Sequence, residues 1–319
     1  MRLSNILGFL AMAVTPFASA DTYPSKPVRI IAASTGTSGD LLARQLAQKL
    51  GERWRQTVIV ENRAAGAGIF AAELTARSTP DGYTIHLGQL ASFGAAPSLL
   101  KHLSYDPQRS FEPITRYAQV PQLIISNLSV PATTLKELIA YAKVPTSRLS
   151  YASGGAGTSG HLTLEMLKSA VGIELLHVPY RGVGAATTAL IGGEVQLAVI
   201  PVPIALPQVK AGKVRAYAIT SANRFSSAPD IPTAAQAGLP GFEATTWFAM
   251  FAPARTPQPI ISFLNKEIVD VISAPEMTKW LSLQGAEPTP STPAELAAFL
   301  SSEIAKWSRV IKKAGITAD

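Results

Sequence analysis

The tetrapeptide Gly-Thr-Ser-Gly occurs twice in this chain, each time between a predicted strand and a predicted helix. The first copy is residues 36–39 and the second is residues 157–160. A helix start offers unpaired N–H groups and the positive end of the helix dipole, which together attract anions. Glycine lets the backbone approach an anion closely, and the Thr and Ser hydroxyls add donors. Two such segments facing each other could hold both ends of a small polyanion, or one carboxylate from two sides.

Both copies could instead be ordinary strand-to-helix turns whose hydroxyls cap the helix. Their recurrence in matching contexts favours anion binding, because capping alone would explain a single copy. The second copy also completes a formal GxGxxG pattern over residues 155–160. A dinucleotide site requires an acid about 20 residues later, at the end of the next strand. Glu174 has that separation but begins its strand, so we expect no nucleotide cofactor.

The serines of the two copies are weak candidates for catalytic nucleophiles. A GxSxG elbow around Ser159 would need glycine at the position of His161. His161 is two residues from Ser159 and is not evidently placed as its base. We therefore expect a protein that performs no chemistry, and a hydrolase using Ser159 or Ser38 is the alternative. The four histidines show no paired metal-ligand spacing, so no metal site is expected.

The composition describes a globular chain that attracts anions. Charged residues make up 15% and hydrophobic residues 47% of the chain, which is typical of a folded protein. The formal net charge is +7, but the basic residues are scattered, so nucleic acid binding is not expected. The absence of cysteine excludes disulfides, thiolate catalysis and Cys-ligated metals.

The N-terminus has the features of a secretory signal peptide. Arg2 supplies an early positive charge, residues 6–17 are mostly apolar, and residues 18–20 read Ala-Ser-Ala. The apolar stretch is short for a membrane span and contains Pro16. We expect residues 1–20 to direct export to the periplasm and to be cleaved after Ala20. A retained N-terminal anchor is the alternative.

Short β-branched runs alternate with amphipathic stretches, which predicts an α/β fold with mostly parallel sheets covered by helices. Strands are predicted at residues 28–32, 57–61, 83–87, 123–126, 149–153, 175–178, 196–200 and 216–220. Helices are predicted at residues 40–50, 68–78, 134–143, 161–171 and 184–192. Gly51 is expected to end the first helix, and Thr134 with Glu137 forms a predicted capping box.

The tail departs from this alternation. An extended aromatic segment at residues 245–252 precedes predicted helices at residues 257–273 and 293–313, the last with a capping box of Thr292 and Glu295. The apolar stripe of the last helix needs a surface to cover, so we expect the tail to return to the first α/β unit. The expected lobes are residues 21–121 with 241–319, and residues 122–240.

Short motifs in a characteristic order run through the mature chain. In the first half they are residues 23–29 (Tyr-Pro-Ser-Lys-Pro-Val-Arg), 60–63 (Val-Glu-Asn-Arg), 80–84 (Pro-Asp-Gly-Tyr-Thr), 105–107 (Tyr-Asp-Pro) and 151–154 (Tyr-Ala-Ser-Gly). In the second half they are residues 177–182 (His-Val-Pro-Tyr-Arg-Gly), 211–216 (Ala-Gly-Lys-Val-Arg-Ala), 230–233 (Asp-Ile-Pro-Thr), 237–241 (Ala-Gly-Leu-Pro-Gly) and 285–288 (Gly-Ala-Glu-Pro). In this order they resemble the Bug family, the substrate-binding proteins of tripartite tricarboxylate transporters.

The resemblance implies a two-lobed periplasmic-binding-protein fold of the Venus-flytrap type (type II-like), with the ligand cleft between the lobes. It implies a small carboxylate ligand, held by the loop after the first strand and the corresponding loop of the second lobe. It also implies a two-component membrane permease as partner, although a few members serve sensor kinases. We expect a monomer without a cofactor. The candidate ligand-binding residues are Ser34, Thr35, Gly36, Thr37, Ser38, Gly39, Asp40, Ser92, Ser153, Gly154, Gly157, Thr158, Ser159, His161, Tyr180 and Ile200.

Two segments depart from the family pattern. The first loop usually resembles Pro-Pro-Gly-Gly-Gly, whereas residues 34–39 here read Ser-Thr-Gly-Thr-Ser-Gly. Many relatives place an acid or amide after the strand at residues 196–199, where residues 200–203 here are Ile-Pro-Val-Pro. The apolar replacement predicts a ligand whose distal part is less polar or lacks an amine.

Three residues have two possible roles. Asp40 could contact the ligand or be a helix-start acid, and Trp247 and Phe248 could line the cleft or belong to the core.

Overall fold

The computed structural model describes residues 23–33, 35, 37–63 and 66–316. The predicted signal peptide with its cleavage site after Ala20 lies outside the described residues, and so do the candidate site residues Ser34 and Gly36. The described helices include no candidate membrane span. The two sheets of the structure give it two α/β lobes.

The first lobe is built on a six-stranded sheet. Its N-terminal part comprises β1 (Val28–Ala32), α1 (Ser38–Trp54), β2 (Val58–Asn62), α2 (Ile69–Ala76), β3 (Thr84–Gln89), α3 (Ala96–Leu99) and β4 (Phe111–Val120). A 3-10 turn at Gly66–Gly68 precedes α2, and a π-helical segment at Leu90–Ala95 precedes α3. β4 was not predicted, because two register shifts in its pairing disturb the alternation of buried and exposed side chains.

The helix α1 is longer than predicted. It continues through Gly51 to Trp54 and ends where Arg55 adopts a left-handed conformation with φ 51°. Glycine inside a helix costs only about 1 kcal/mol. The buried face of α1, which includes Leu42, Leu46 and Leu50, packs on the first sheet and outweighs that cost.

The second lobe is built on a five-stranded sheet. It comprises β5 (Gln122–Asn127), α4 (Leu135–Ala142), β6 (Ser150–Ser153), α5 (Ser159–Val171), β7 (Leu176–Pro179), α6 (Val183–Gly192), β8 (Leu197–Pro201), α7 (Val202–Lys210) and β9 (Val214–Ile219). The prolines of α7 hid it from sequence reasoning, although Pro203 lies in the first turn, where no N–H is needed. At the start of α4, Thr134 accepts from the Glu137 N–H, but the Glu137 carboxylate accepts from Thr133 instead of closing the predicted box.

The tail packs on the first lobe. It comprises β10 (Thr246–Pro253), α8 (Gln258–Ser273), α9 (Pro275–Leu283), β11 (Glu287–Pro288) and α10 (Pro293–Ala314). The predicted capping box of Thr292 and Glu295 is confirmed, with both reciprocal hydrogen bonds present. In the core beneath α10, the indole N–H groups of Trp247 and Trp307 both donate to Glu303 Oε2 at 2.8 Å.

The sheets contain more antiparallel pairing than predicted. The first sheet has the order β11-β4-β10-β3-β1-β2, and the second has the order β7-β6-β8-β5-β9. β1 pairs in parallel with β2 and β3, and β6 pairs in parallel with β7 and β8. β10 is antiparallel to both of its neighbours β3 and β4, and β5 is antiparallel to β8 and β9. The insertion of β10 between β3 and β4 attaches the tail to the first lobe.

The chain crosses between the sheets twice, and the two crossings are hydrogen-bonded to each other. The Thr220 N–H donates to the Gln122 carbonyl at 2.9 Å, and the Gln122 N–H donates to Thr220 Oγ1 at 3.1 Å. The Ala244 N–H donates to the Thr220 carbonyl at 3.0 Å. Paired crossings of this kind suit a hinge. The exact lobe limits, 121/122 and 240/241, stay a prediction.

Candidate functional site

A cavity of about 280 Å³ lies between the two lobes, and we call it the cleft. Residues of the first lobe that line it are Ala33, Thr37, Ser38, Gly39, Gln89, Val120, Thr246 and Phe248. Residues of the second lobe that line it are Gly154, Thr158, Ser159, Gly160, Gly182, Val183, Val199 and Pro201. The carboxyl ends of β1, β3, β6 and β8 open onto it, which is the usual place for a ligand in an open α/β sheet.

The start of α1 forms one wall of the cleft. Thr37 is its N-cap, and Thr37 Oγ1 accepts a hydrogen bond of 3.3 Å from the Asp40 N–H. The first intrahelical bond runs from the Leu41 N–H to the Thr37 carbonyl. The N–H groups of Ser38 and Gly39 therefore have no partner within the helix. Three predicted residues, Thr37, Ser38 and Gly39, lie at the cleft.

Asp40 supports this helix start from outside the cleft lining. The residue is 4% exposed. Its Oδ1 accepts from Asn62 Nδ2 at 3.0 Å and forms an ion pair with Arg44 Nε at 3.0 Å. A carboxylate in the first turn also favours the helix dipole. The structure thus gives Asp40 the helix-start role that the sequence had left as an alternative to ligand contact.

The start of α5 forms the opposite wall. Thr158 lines the cleft, but its hydroxyl donates to the Gly155 carbonyl at 2.7 Å and does not cap the helix. The first intrahelical bond joins the Leu162 N–H to the Thr158 carbonyl. The N–H groups at positions 159 to 161 therefore have no partner within α5. This start is uncapped, and Ser159 and Gly160 present it to the cleft.

Gly160 fixes how close α5 lies to the second sheet. A Cβ at this position would be 2.5 Å from the carbonyl oxygen of Val199 in β8. Only glycine allows this approach, because ordinary contacts between heavy atoms are about 3.5 Å or longer. The helix start therefore rests directly on the strand whose end also lines the cleft.

The loop between β6 and α5 is shaped by two histidines. Ser153 is 1% exposed, and its Oγ is 2.7 Å from His177 Nε2 and accepts from the Gly155 N–H at 3.1 Å. The Gly157 N–H donates to His161 Nδ1 at 3.0 Å. Three predicted ligand contacts, Ser153, Gly157 and His161, thus hold the loop and do not line the cleft. Gly154, from the same loop, does line it.

Burial disfavours the charged form of both histidines. The rings of His161 and His177 stack with centroids 4.0 Å apart. Burial, followed by the neighbouring His177, lowers the pKa of His161 to about 4, and burial also lowers the pKa of His177. An unprotonated Nδ1 is what the Gly157 N–H requires as an acceptor. Glu165, four residues after His161 in α5, is buried and accepts from the Tyr151 hydroxyl at 2.5 Å.

Ile200 lies away from the cleft, contrary to the sequence interpretation. It is fully buried in the second-lobe core. Side chains alternate along a strand, so its neighbours Val199 and Pro201 face the cleft and Ile200 faces the opposite side of β8. The strand end is therefore apolar where it lines the cleft, but the lining residues are Val199 and Pro201 and not Ile200.

Three more predicted residues are placed elsewhere. Thr35 is exposed and does not line the cleft. Ser92 is fully buried, and its hydroxyl donates to the Gln89 carbonyl at 3.4 Å. The Tyr180 hydroxyl donates to the Glu194 carboxylate at 3.1 Å on the surface. The hydroxyls of Ser92 and Tyr180 thus form local hydrogen bonds, and neither residue lines the cleft.

Several lining residues were missed by the sequence interpretation, and a general rule would have found some of them. Ala33, Gln89 and Pro201 stand at or just after the carboxyl ends of strands, where ligands of α/β proteins bind. Phe248 was left open between cleft and core, and it belongs to both, since it lines the cleft with only 3% of its surface exposed. Its neighbour Trp247 is core. Within the described ranges, no group of three or more His, Cys, Asp or Glu residues could hold a metal ion.

Known proteins match this chain over nearly its whole length. A family model described as tripartite tricarboxylate transporter family receptor matches residues 42–316. BugT of Bordetella pertussis is 33% identical over 318 residues, which cover 98% of both chains. A solved R. palustris protein with adipate has a TM-score of 0.80 and 34% identity, covering 92% of this chain and 99% of that one. MatC from Rhodopseudomonas palustris with bound malate has a TM-score of 0.76 and 31% identity, covering 91% and 100%.

Proposed function

The chain belongs to the tripartite tricarboxylate transporter receptor family, and we propose that it is a periplasmic solute-binding protein. It captures a small carboxylate between its lobes and delivers it to a membrane permease. The observation that carries this proposal is the pair of helix starts, one from each lobe, that open onto the same cleft. Solved relatives with adipate and with malate support a carboxylate as the ligand.

The physical basis is electrostatic. Each helix start carries roughly half a positive charge, so two of them together balance about one carboxylate charge without a cationic side chain. A hydrogen bond to a charged group is worth about 1.5–3 kcal/mol. The N–H groups of Ser38 and Gly39 on one side and of Ser159 and Gly160 on the other are the proposed donors. Closure about the paired crossings would bring both sets onto one ligand.

Binding without chemistry fits the surroundings of the serines. No hydrogen bond joins Ser159 to a histidine within the described residues, and the Nδ1 of the nearby His161 accepts from the Gly157 N–H. The bonded pair of Ser153 and His177 lies outside the cleft lining, with Ser153 almost fully buried. A serine nucleophile needs both an adjacent base and access to the substrate. A hydrolase would show turnover of ester or amide substrates, and we expect none.

The cellular setting is also part of the proposal. We propose export by the N-terminal signal, cleavage after Ala20, a monomeric mature protein and a two-component permease as partner. N-terminal sequencing of protein from periplasmic extracts should begin at Asp21. Light scattering should give the mass of one chain. Loss of carboxylate uptake when the permease is deleted would distinguish transport from service to a sensor kinase.

Ligand binding can be tested directly on the exported protein. Calorimetry against mono-, di- and tricarboxylic acids and aromatic acids should find at least one tight ligand. The same ligand should raise the melting temperature progressively with its concentration. At a ligand concentration of a hundred times Kd, the free energy of unfolding should increase by about 2.7 kcal/mol. No stabilisation by any acid of the panel would refute the proposal.

A matched pair of variants tests whether the Ser159 hydroxyl donates to the ligand in addition to the backbone N–H groups. Ser159→Ala removes a hydroxyl at the start of α5 and should weaken the ligand by roughly tenfold if it donates to a buried carboxylate. Ser301→Ala, on the exposed face of α10, should leave affinity unchanged. Equal affinity of both variants would exclude the Ser159 hydroxyl as a donor.

A further inference from the structure

The cleft contains no charged side chain among its described lining residues. The four internal positions outside the described part of the chain, residues 34, 36, 64 and 65, are Ser, Gly, Ala and Ala, which carry no charge either. Helix starts therefore contribute positive potential at the cleft: those of α1 and α5, and also that of α6, whose N-cap Gly182 and first residue Val183 line it. A ligand that carries an ammonium group would find repulsion there and no counter-ion.

The acid next to the lining in sequence is already engaged. Asp40 is almost fully buried and bonded to Arg44 and Asn62, each at 3.0 Å. Gln89 offers a neutral amide, whose Nε2 donates to the Ala67 carbonyl at 3.0 Å. An amide oxygen can accept a hydrogen bond from an ammonium group but cannot neutralise its charge. A buried ammonium group would therefore have no counter-ion, which is strongly unfavourable.

The rest of the cleft wall is apolar. Val120 and Phe248 contribute from the first lobe, and Val183, Val199 and Pro201 contribute from the second. Val120, Val199 and Phe248 are at most 3% exposed, so they are part of the packed core as well as of the wall. Burying methylene or ring carbons of a ligand against such a surface is favourable, whereas burying its polar groups there is unfavourable.

We infer that the ligand is an amine-free carboxylic acid, with one or two carboxylates on an aliphatic or aromatic body. The inference rests on the proposed function and narrows it, because acidic amino acids are excluded as ligands. The carboxylates contact the starts of α1 and α5, and the carbon body contacts the apolar wall. Selectivity arises from the absence of an acid that could pair with an amine.

The test compares acids that differ only by an ammonium group. Calorimetry on the exported protein would measure succinate against L-aspartate, glutarate against L-glutamate, and adipate against L-2-aminoadipate. In every pair that binds, the amine-free acid should bind at least roughly 30-fold more tightly. Amino acids that bind as tightly as their partners would overturn this inference and leave carboxylate capture standing. If no acid of either kind bound, at any length or with an aromatic body, the proposed function would fail with it.

A charge introduced into the wall should relax this selectivity. Val183 is the first residue of α6, where an acid is favourable for the helix, so Val183→Asp should fold. Val183→Asp should narrow the preference for amine-free acids by roughly tenfold, whereas the matched Val183→Asn should leave it unchanged. An unaltered preference in a folded Val183→Asp would overturn the assignment of this wall to the ligand's carbon body. If Val183→Asp did not fold, the wild-type pairs alone would decide.

Discussion

Gly160→Ala is the substitution that tests most sharply how the second lobe presents its helix start. The added Cβ would be 2.5 Å from the Val199 carbonyl oxygen, whereas ordinary contacts are about 3.5 Å or longer. The start of α5 or the end of β8 must therefore move by about 1 Å. Overpacking of this kind costs about 1–3 kcal/mol, and the better helix propensity of alanine recovers at most about 1 kcal/mol.

The same displacement should affect ligand binding more than stability. A hydrogen bond of about 2.9 Å that lengthens by about 1 Å is lost. Losing one or two bonds from Ser159 and Gly160 to a carboxylate corresponds to roughly 10- to 100-fold weaker affinity. Calorimetry gives the affinity, and urea unfolding gives the free energy of unfolding for the same preparation.

Gly184→Ala is the matched control. Gly184 lies in α6, and a Cβ there would meet no atom within 4 Å. This variant should be as stable as the parent or more stable by up to about 1 kcal/mol, with unchanged affinity. If Gly160→Ala matched Gly184→Ala in both stability and affinity, the close approach of α5 to β8 would have no role in binding.

Three further predictions concern stability. Glu303→Ala should lower the free energy of unfolding in urea by about 3 kcal/mol or more, because it leaves two buried tryptophan N–H groups without their acceptor, and Glu303→Gln should cost less. His86 stacks on Phe93 and Phe111, and its ring nitrogens lack partners of good geometry among the described residues. Burial lowers the pKa of His86 to about 3. His86→Leu should therefore keep the stability of the protein at pH 7 within about 1 kcal/mol of the parent and make that stability less sensitive to acid. The pKa of His161 is about 4 in the folded protein and about 6.5 in the unfolded chain, so the unfolded chain binds the proton first as the pH falls. The stabilisation should therefore be complete above pH 6.5 and fall by up to about 3 kcal/mol towards pH 4. A flat profile of urea midpoints over that window would contradict the buried neutral histidine.

Local patterns in the sequence were sufficient for the helix starts but not for the side chains around them. The Gly-Thr-Ser-Gly repeat correctly placed two helix starts at one cavity, because strand-to-helix turns are local structures. The direction of each side chain depends on packing with distant residues. Ser153 and His161 belong to the right loop, yet their polar atoms are committed to His177 and Gly157.

The pairing of distant strands explains the other differences. β10 is separated from β3 and β4 by the whole second lobe, yet it lies between them. That insertion brings Thr246 and Phe248 to the cleft beside Val120, and no local periodicity contains it. The same long-range pairing creates the register shifts that concealed β4. Helices and parallel βα units were predictable because their signals are confined to short windows.

A crystal structure of the complex with the tightest acid found by calorimetry would decide whether both lobes share one ligand. A carboxylate should lie with its oxygens about 2.7–3.2 Å from backbone nitrogens at the start of α1 and at the start of α5, in one molecule at one time. Contact with only one of these starts, or a carboxylate paired with a lysine or arginine side chain outside the cleft, would contradict the proposed mode of capture.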